Sequence, residues 1–238
     1  MSARIAAAVI VGLLLLPSAA PAAGDDGWCA PIGADLDALG WRPLTFEGKA
    51  PNRFAGTAEG ALTIEGDASV SFLFAGVPPS LGARAEALRW AWKAEAAVPP
   101  TDLAAKGGDD RTLALYVAFA WDPAQATLSE LLRRPVVEML QGPDAPGRIL
   151  AYTWGGSRPP GSRFASPYAG GSSQIVILRD AATETGRWHA ETVSPRADYR
   201  AAFGEEAPAI TQIAIVSDGD DTGTAVRAAV RDLCLGNR

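Results

Sequence analysis

Apolar and polar residues alternate along several segments of the chain, a pattern that predicts β-strands with one buried face. The apolar face of "RTLALYVAFA" consists of Leu113, Leu115, Val117 and Phe119. The corresponding face of "ALRWAWKAEA" consists of Leu88, Trp90, Trp92 and Ala94. Because tryptophan rings bury large apolar areas, we expect both tryptophans to belong to the core.

Other segments share this strand character and are bounded by Gly, Pro, Ser or Asp. They are "GRILAYTW", "SSQIVILRD", "GRWHAETVS" and "APAITQIAIVSD". "ALTIEGDASVSFLFAGV" predicts two short strands joined by a Gly-Asp turn. The closing "TAVRAAVRDLCLG" would suit a helix by composition, but its residues alternate from Val226 to Cys234, so we predict a strand.

Helical patterns are confined to two segments. Thr127 to Leu140 predicts a helix that Pro135 interrupts or restarts, and "RADYRAAFG" predicts a short helix ended by Gly204. Many strands at short spacing, separated by turn residues, are typical of a sandwich rather than of βαβ units. The predicted fold is therefore all-β, a jelly-roll-like β-sandwich with one or two short helices in its connections.

The N-terminus has the pattern of a secretory signal peptide: a basic residue, an apolar run from Ile5 to Leu16, and small residues with two prolines. We predict a signal peptide over residues 1–23, cleaved near Ala23, and a single β-sandwich domain over residues 24–238. The apolar run is shorter than the roughly 20 residues of a membrane helix, so an uncleaved anchor is the weaker alternative. The mature protein is expected to be periplasmic or secreted, without a membrane span.

The charge balance excludes two classes of partner. The chain has 21 basic and 27 acidic residues, and without Arg4 of the signal peptide its formal charge is −7. No stripe of Lys and Arg accompanies this acidic balance, which argues against nucleic acid and against anionic membrane surfaces. The expected partner is an extracytoplasmic ligand, with a polysaccharide as one candidate.

The two cysteines, Cys29 and Cys234, lie almost at the ends of the mature chain. In an oxidising compartment an even pair indicates a disulfide, which would place the first and last strands side by side. Two free buried thiols are the alternative. Zinc is not expected, because two cysteines and one histidine so far apart lack the spacing of zinc ligands.

Two glycine-containing acidic turns flank predicted strands. Their aspartates are Asp109 and Asp110 in the first turn and Asp218, Asp220 and Asp221 in the second. Such turns supply the carboxylate and carbonyl oxygens that calcium prefers, although neither turn matches an EF-hand loop. Aspartate and glycine also favour ordinary turns. Three roles stay open for these residues: turn formation, a structural calcium site, and contact with a ligand. No other cofactor is indicated.

The chain has one histidine, His189, so any catalytic arrangement that needs an imidazole must include it. On its predicted strand, Arg187, His189 and Glu191 share one face, opposite Trp188. A polar, solvent-facing strand surface explains this pattern, and a general-base role is the alternative. The sequence contains no nucleophile elbow, phosphate-binding loop, dinucleotide fingerprint or metalloprotease motif.

Four segments carry a resemblance to a known family. They are "DLAAKGGDDRTLALYVAFA", "ILAYTWGG", "GRWHAETVSPRADYRAAFGEEAPAITQIAIVSDGDDTG" and "VRDLCLG". Together they resemble the exported bacterial family known as domain of unknown function 3047, from roughly Gly40 to Leu235. The most specific residues are Lys106, Gly108, Asp109, Asp110, Tyr152, Trp154, Trp188 and Glu191. Members usually carry Asn at the position of Asp221. The resemblance supports the fold and implies no activity.

The closing "RDLCL" also resembles the final strand of jelly-roll carbohydrate-binding modules, where a nearby acidic residue often belongs to a structural calcium site. This fold-level likeness adds Asp232 to the candidate calcium ligands. Tyr152 and Trp154 share a strand face beside the loop "GGSRPPGSRF", and exposed aromatic rings stack on sugars; core packing is the alternative for both. The candidate ligand-binding residues are Lys106, Tyr152, Trp154, Trp188, His189 and Glu191.

Three functions follow from these candidates. The first, which we favour, is an exported non-catalytic binding module for a glycan or another extracytoplasmic ligand. The second is a jelly-roll polysaccharide lyase or hydrolase, which requires a cleft where His189, a tyrosine such as Tyr152 or Tyr199, and a basic residue converge. The third is an envelope scaffold or assembly protein, which predicts an exposed apolar patch.

Overall fold

A computed structural model describes residues 27–141 and 145–237, and its strands form two sheets packed together. The strands are β1 (Gly27–Cys29), β2 (Arg42–Leu44), β3 (Arg53–Gly56), β4 (Ala61–Asp67), β5 (Val70–Gly76), β6 (Ala87–Ala96), β7 (Arg111–Phe119), β8 (Ile149–Trp154), β9 (Arg163–Ser166), β10 (Gly170–Arg179), β11 (His189–Val193), β12 (Ile210–Asp218) and β13 (Ala225–Gly236). The helices are α1 (Pro79–Gly82), α2 (Leu128–Gln141) and α3 (Pro195–Phe203). The predicted signal peptide, residues 1–23, lies outside the described residues. The predicted all-β sandwich is confirmed.

The first sheet has the strand order β11-β6-β13-β4-β3, and β1 also pairs with β13. Along one edge of β13, residues 225–231 pair with β4 and residues 234–236 pair with β1. The second sheet has the order β2-β5-β12-β7-β8-β10-β9. Its strands pair antiparallel except β8 and β10, which are parallel. The start of β7 and the end of the neighbouring strand β12 therefore lie at the same end of the sandwich.

The core lies between the inner faces of the two sheets. The predicted apolar faces of β6 and β7 are both buried, which confirms their period-2 pattern. Trp90 and Trp92 are 2% and 1% exposed, and their rings meet edge-on with centroids 5.2 Å apart. Trp154 from the other sheet packs against Trp92 with a centroid distance of 5.8 Å. Aromatic pairs thus join the two sheets.

A disulfide links Cys29 of β1 to Cys234 of β13, as predicted. The two residues are directly opposite in the antiparallel pairing of these strands, so the first and last described strands lie side by side. A disulfide of this kind fits an extracytoplasmic protein. Within residues 27–141 and 145–237, no helix has the length and apolar character that crossing a membrane requires.

The helices occupy connections between strands. α3 ends at Gly204, which has a left-handed φ of 78°, as its sequence predicts. The predicted interruption of the other helix is wrong, because α2 continues through Pro135. Arg134 donates a hydrogen bond to Glu138 at 2.7 Å and another to the carbonyl of Ala145 at 2.8 Å, which ties both sides of the proline together.

The alternation in β13 breaks at a bulge that the sequence pattern did not reveal. The register against β6 shifts between Arg231 and Cys234, and Asp232 has a φ of 55°. Because the bulge adds a residue, the buried face continues with Leu233 and Leu235, each 1% exposed, rather than with Asp232.

The predicted Gly-Asp turn between β4 and β5 is also wrong. Gly66 and Asp67 belong to β4, and the chain passes to the other sheet through Ala68 and Ser69. A Cβ atom at Gly66 would collide with the side chains of Asn52 and Ser69. Glycine is therefore required here because these side chains pack closely against the backbone, and not because the chain turns.

Candidate functional site

The two acidic turns meet at one end of the sandwich because the strands that carry them are neighbours. Asp218, the last residue of β12, lies opposite Arg111, the first residue of β7. The first turn directly precedes Arg111, and the second directly follows Asp218. Five predicted aspartates therefore form one acidic cluster: Asp109, Asp110, Asp218, Asp220 and Asp221.

Asp110 joins the two turns to each other. Its side chain is fully buried, and its Oδ2 accepts hydrogen bonds from the backbone N (2.7 Å) and Oγ1 (2.6 Å) of Thr222. Its Oδ1 accepts a weaker bond from the backbone N of Asp221 at 3.3 Å. Asp110 thus bonds the backbone of the opposite turn, in addition to any role in its own turn.

Arg111 and Asp218 form a buried ion pair beneath the turns. Their side chains are each 6% exposed, and Nη2 of Arg111 lies 3.1 Å from Oδ2 of Asp218. A second carboxylate, Asp109, lies 3.9 Å from the same nitrogen. Among the described residues, Nε of Arg111 and Oδ1 of Asp218 are buried without a hydrogen-bond partner. The pair is therefore only partly satisfied.

The pKa values of this pair shift in ways that reflect the surrounding acids. Burial raises the pKa of Asp218 to about 7, and the carboxyl groups of Asp109 and Asp110 add to this rise against the effect of Arg111. Burial alone would lower the pKa of Arg111, but nearby acidic groups, Tyr116 and Asp218 first among them, raise it above its ordinary value. The guanidinium of Arg111 therefore stays charged, whereas the raised pKa of Asp218 disfavours its ionised form.

Three aspartates of the acidic cluster converge on one point. Asp110, Asp220 and Asp221 each offer a carboxylate oxygen, and these oxygens lie within 4.8 Å of one another. The three differ in burial, from Asp110 inside to Asp221 at the surface, so the point is open to solvent on one side. The amine of Lys49 contacts Asp220 and lies 3.8 Å from Asp221. This arrangement can bind a cation.

An exposed aromatic ring stands beside the first acidic turn. Tyr168 is 60% exposed, and its hydroxyl accepts a hydrogen bond from the backbone N of Gly107 at 3.0 Å. Burial raises the pKa of Tyr168, and the nearby carboxylate of Asp109 adds to that rise. Nζ of Lys106, a predicted ligand-binding residue, lies 5.9 Å from the ring centroid. An aromatic face, an ammonium group and carboxylates are therefore presented together.

Asp232 does not join the acidic cluster. It lies seven residues beyond Ala225, where β13 leaves the second turn, and strand geometry puts that separation at about 23 Å. Its side chain is 74% exposed and lies 3.4 Å from Nε of Arg231. The bulge that turns it outward accounts for this exposure.

Tyr152 and Trp154, predicted as candidate sugar-stacking residues, are both 0% exposed. The hydroxyl of Tyr152 donates a hydrogen bond to Asp198 at 2.8 Å, and Asp198 also accepts one from Arg163 at 2.6 Å. Burial, followed by the charge of Asp198, raises the pKa of Tyr152 well above its ordinary value. Neither ring presents a face to a ligand, so the core alternative applies to both.

Glu191 faces inward from β11, the edge strand of the first sheet. Its Oε1 accepts hydrogen bonds from Nε1 of Trp92 at 3.0 Å and from Nε of Arg179 at 2.5 Å. The predicted solvent-facing polar surface is therefore wrong for this residue. The inward-facing carboxylate of Glu191 thus has hydrogen-bond partners, and its bond with Trp92 holds that core side chain in position.

His189 is half-buried beside the same tryptophan cluster. Its ring meets that of Trp154 edge-on, with centroids 5.1 Å apart, and its Nε2 lies 2.9 Å from the carbonyl oxygen of Glu184. Trp188 lies on the opposite face, with the guanidinium of Arg231 4.3 Å from its ring centroid. The structure thus places Trp188 and His189 on opposite faces of the sheet, while Lys106 lies beside Tyr168.

Sequence reasoning missed four residues at the acidic end: Lys49, Arg111, Tyr168 and Thr222. Arg111 could have been found, because a basic residue that starts an otherwise apolar strand directly after two aspartates needs a buried partner. Lys49 and Tyr168 are remote in sequence from both turns, and only the fold brings them there.

The fold and the site define a disulfide-linked, two-sheet β-sandwich with a carboxylate-rich end. The model of the family described as "Protein of unknown function (DUF3047)" matches residues 39–234. The chain therefore belongs to this family, as its segments suggested. No curated protein matches the chain.

Proposed function

We propose that the protein is an exported, non-catalytic binding module and that its ligand, in the first instance a glycan, contacts the end of the sandwich that carries the acidic cluster. The observation behind this proposal is the exposed ring of Tyr168 beside Lys106 and Asp109. Small-molecule sites combine aromatic surface with a few polar groups that orient the ligand. This end of the molecule offers both to the ring face and hydroxyls of a sugar.

Export is supported by two independent features. The first is the disulfide between Cys29 and Cys234, which is typical of oxidising compartments. The second is the signal-peptide pattern of residues 1–23. A periplasmic or secreted location is accordingly part of the proposal.

An open groove next to the second acidic turn extends the proposed surface. It is shallow and open to solvent, so it would extend the contact surface without enclosing a ligand. The charged residues that line it are Glu65, Asp67 and Arg227. Ala225, which also lines it, directly follows the second turn, so the groove and the acidic cluster are adjacent. Mixed charge of this kind suits hydroxyl groups better than a strongly charged ligand.

We expect at least one soluble polysaccharide to retard the oxidised mature protein in affinity electrophoresis with calcium present. Tyr168→Ala should weaken that binding about tenfold, the equivalent of about 1.4 kcal/mol, because the ring supplies the stacking surface. Tyr168→Phe is the matched control, since it keeps the ring and should keep most of the affinity. Release of new reducing ends is measured in parallel.

Each other outcome points to a definite alternative. Unchanged retention by Tyr168→Ala would place the ligand away from the acidic end. New reducing ends would indicate a lyase or hydrolase, and loss of that activity in His189→Ala would assign the imidazole. No retention by any polysaccharide would reject the glycan.

A scaffold role has one observation in its favour. Helix α2 exposes an apolar face in which Leu128, Leu131 and Leu132 are 73%, 43% and 72% exposed. Residues three and four apart lie on the same side of a helix, so these leucines form one patch. Exposed apolar patches of this kind often mark contact surfaces.

The leucine patch makes a separate prediction that sedimentation velocity can check. A scaffold built on this face should self-associate as concentration rises, and Leu128→Glu/Leu132→Glu should restore the monomer. A binding module should be monomeric in both forms, with unchanged polysaccharide retention. Loss of retention in the double variant would instead make α2 part of the ligand surface.

A further inference from the structure

The acidic cluster carries more negative charge than its basic neighbours neutralise. Five aspartates lie there, while only Arg111 and Lys49 make ion pairs with them among the described residues. Like charges a few ångströms apart repel strongly where water is partly excluded. A further cation would relieve that repulsion.

The spacing of three carboxylates matches the size of one ion. Oxygens of Asp110, Asp220 and Asp221 lie within 4.8 Å of one another. Calcium binds oxygen at about 2.3–2.6 Å, so two ligands of one calcium ion are at most about 5 Å apart. The three carboxylates are therefore close enough to share a single ion without rearrangement of the turns.

A second observation, an unsatisfied buried oxygen, points to the same place. Asp218 is 4% exposed, and its Oδ1 is buried and has no hydrogen-bond partner among the described residues. It lies next to the turn of Asp110, because its ion-pair partner Arg111 directly follows Asp110 in the chain. A buried carboxylate oxygen without a donor is costly, and an ion held by Asp110 would compensate for the missing donor.

We propose that Asp110, Asp220 and Asp221 bind a calcium ion. Oxygen-only ligands on two turns suit calcium, whereas zinc prefers His and Cys and magnesium demands near-ideal octahedral geometry. Exported modules typically bind calcium with a Kd of about 0.1–1 mM, and this site is open to solvent in the same manner. The ion would fasten the first turn to the second.

Lys49 sets the affinity of this site. Its amine contacts Asp220 and approaches Asp221, so it neutralises two of the three ligands and competes with the ion. Removal of the amine should therefore tighten calcium binding. Tighter calcium binding by a variant without this amine would distinguish a calcium site from a cluster whose negative charge is balanced by the lysine.

The test is isothermal titration of the metal-free, disulfide-bonded protein with calcium chloride, together with thermal unfolding. We expect one calcium ion per chain, a Kd of about 0.1–1 mM, and a Tm that rises by several degrees at about 10 mM calcium. Asp221→Asn should weaken binding about tenfold, and Lys49→Met should tighten it about tenfold. Asp232→Asn, which changes an exposed aspartate far from the cluster, is the matched control and should bind as the wild type does.

The outcomes are distinguishable from those of polysaccharide binding, because no glycan is present. Calcium binding by Lys49→Met alone would show that the lysine is the native counter-ion and would overturn the proposal. Absence of binding in both proteins would also overturn it. Asp220→Asn gives a second variant if Asp221→Asn unfolds, and equal weakening by Asp232→Asn would mean nonspecific binding by the acidic surface.

Discussion

Replacing Arg111 with methionine should destabilise the protein by about 3–5 kcal/mol, the typical cost of leaving one partner of a buried ion pair uncompensated. The guanidinium is the only cation that pairs with Asp218 among the described residues, and Asp109 depends on it as well. For a chain of this size the loss corresponds to a fall in Tm of roughly 10 °C. Chemical unfolding in the presence of chelator measures it without a contribution from calcium.

Two further variants identify the cause of that loss. In Arg111→Met/Asp218→Asn the carboxylate is removed with its partner, so the double variant should recover at least about 2 kcal/mol relative to Arg111→Met. Arg187→Met is the matched control, because its ion pair with Glu184 is exposed and should cost less than about 1 kcal/mol. A double variant no more stable than Arg111→Met would mean that packing of the long side chain, and not charge, is what Arg111 contributes.

The strands of the core could be predicted from the sequence because their alternation records burial directly. The period-2 pattern of Leu113 to Phe119 survives intact in β7. In β13 the alternation predicted the wrong face for Asp232. The bulge there depends on pairing with β6 and cannot be recognised from the alternation of the residues. The short strands β2, β3 and β9 were missed, since three or four residues are too few to show a period, and β1 was expected only from the disulfide.

The site could be predicted only in part, for a different physical reason. Both acidic turns were visible as Gly-Asp clusters, and their convergence follows from the pairing of β7 with β12, which no local pattern encodes. The aromatic residues were placed on the correct face of their strand, but alternation does not distinguish a face covered by a second sheet from one that faces solvent. Tyr152 and Trp154 therefore proved to be buried, while Tyr168, in a turn without periodicity, is the exposed ring.

The disulfide should contribute the second large effect on stability. Cys29 and Cys234 are 205 residues apart in sequence, and in the chain-entropy model a loop of that length gives roughly 5 kcal/mol as an upper estimate. We expect Cys29→Ala/Cys234→Ala to lower the free energy of unfolding by about 2–5 kcal/mol, the usual range for a native bridge. Mass spectrometry of the oxidised wild type should detect no free thiol.

The loss should begin locally, because β1 has few other attachments. It is three residues long, its only strand partner among residues 27–141 and 145–237 is β13, and its one buried side chain is Trp28, which is 5% exposed. Without the bridge, β1 should separate before the sandwich unfolds, so hydrogen exchange at Trp28 should accelerate more than exchange in β7. Reductant supplies the control: it should lower the stability of the wild type to that of the double variant and leave the variant unchanged. If the double variant instead matched the oxidised wild type in stability, pairing with β13 alone would suffice to hold the two ends of the sandwich together.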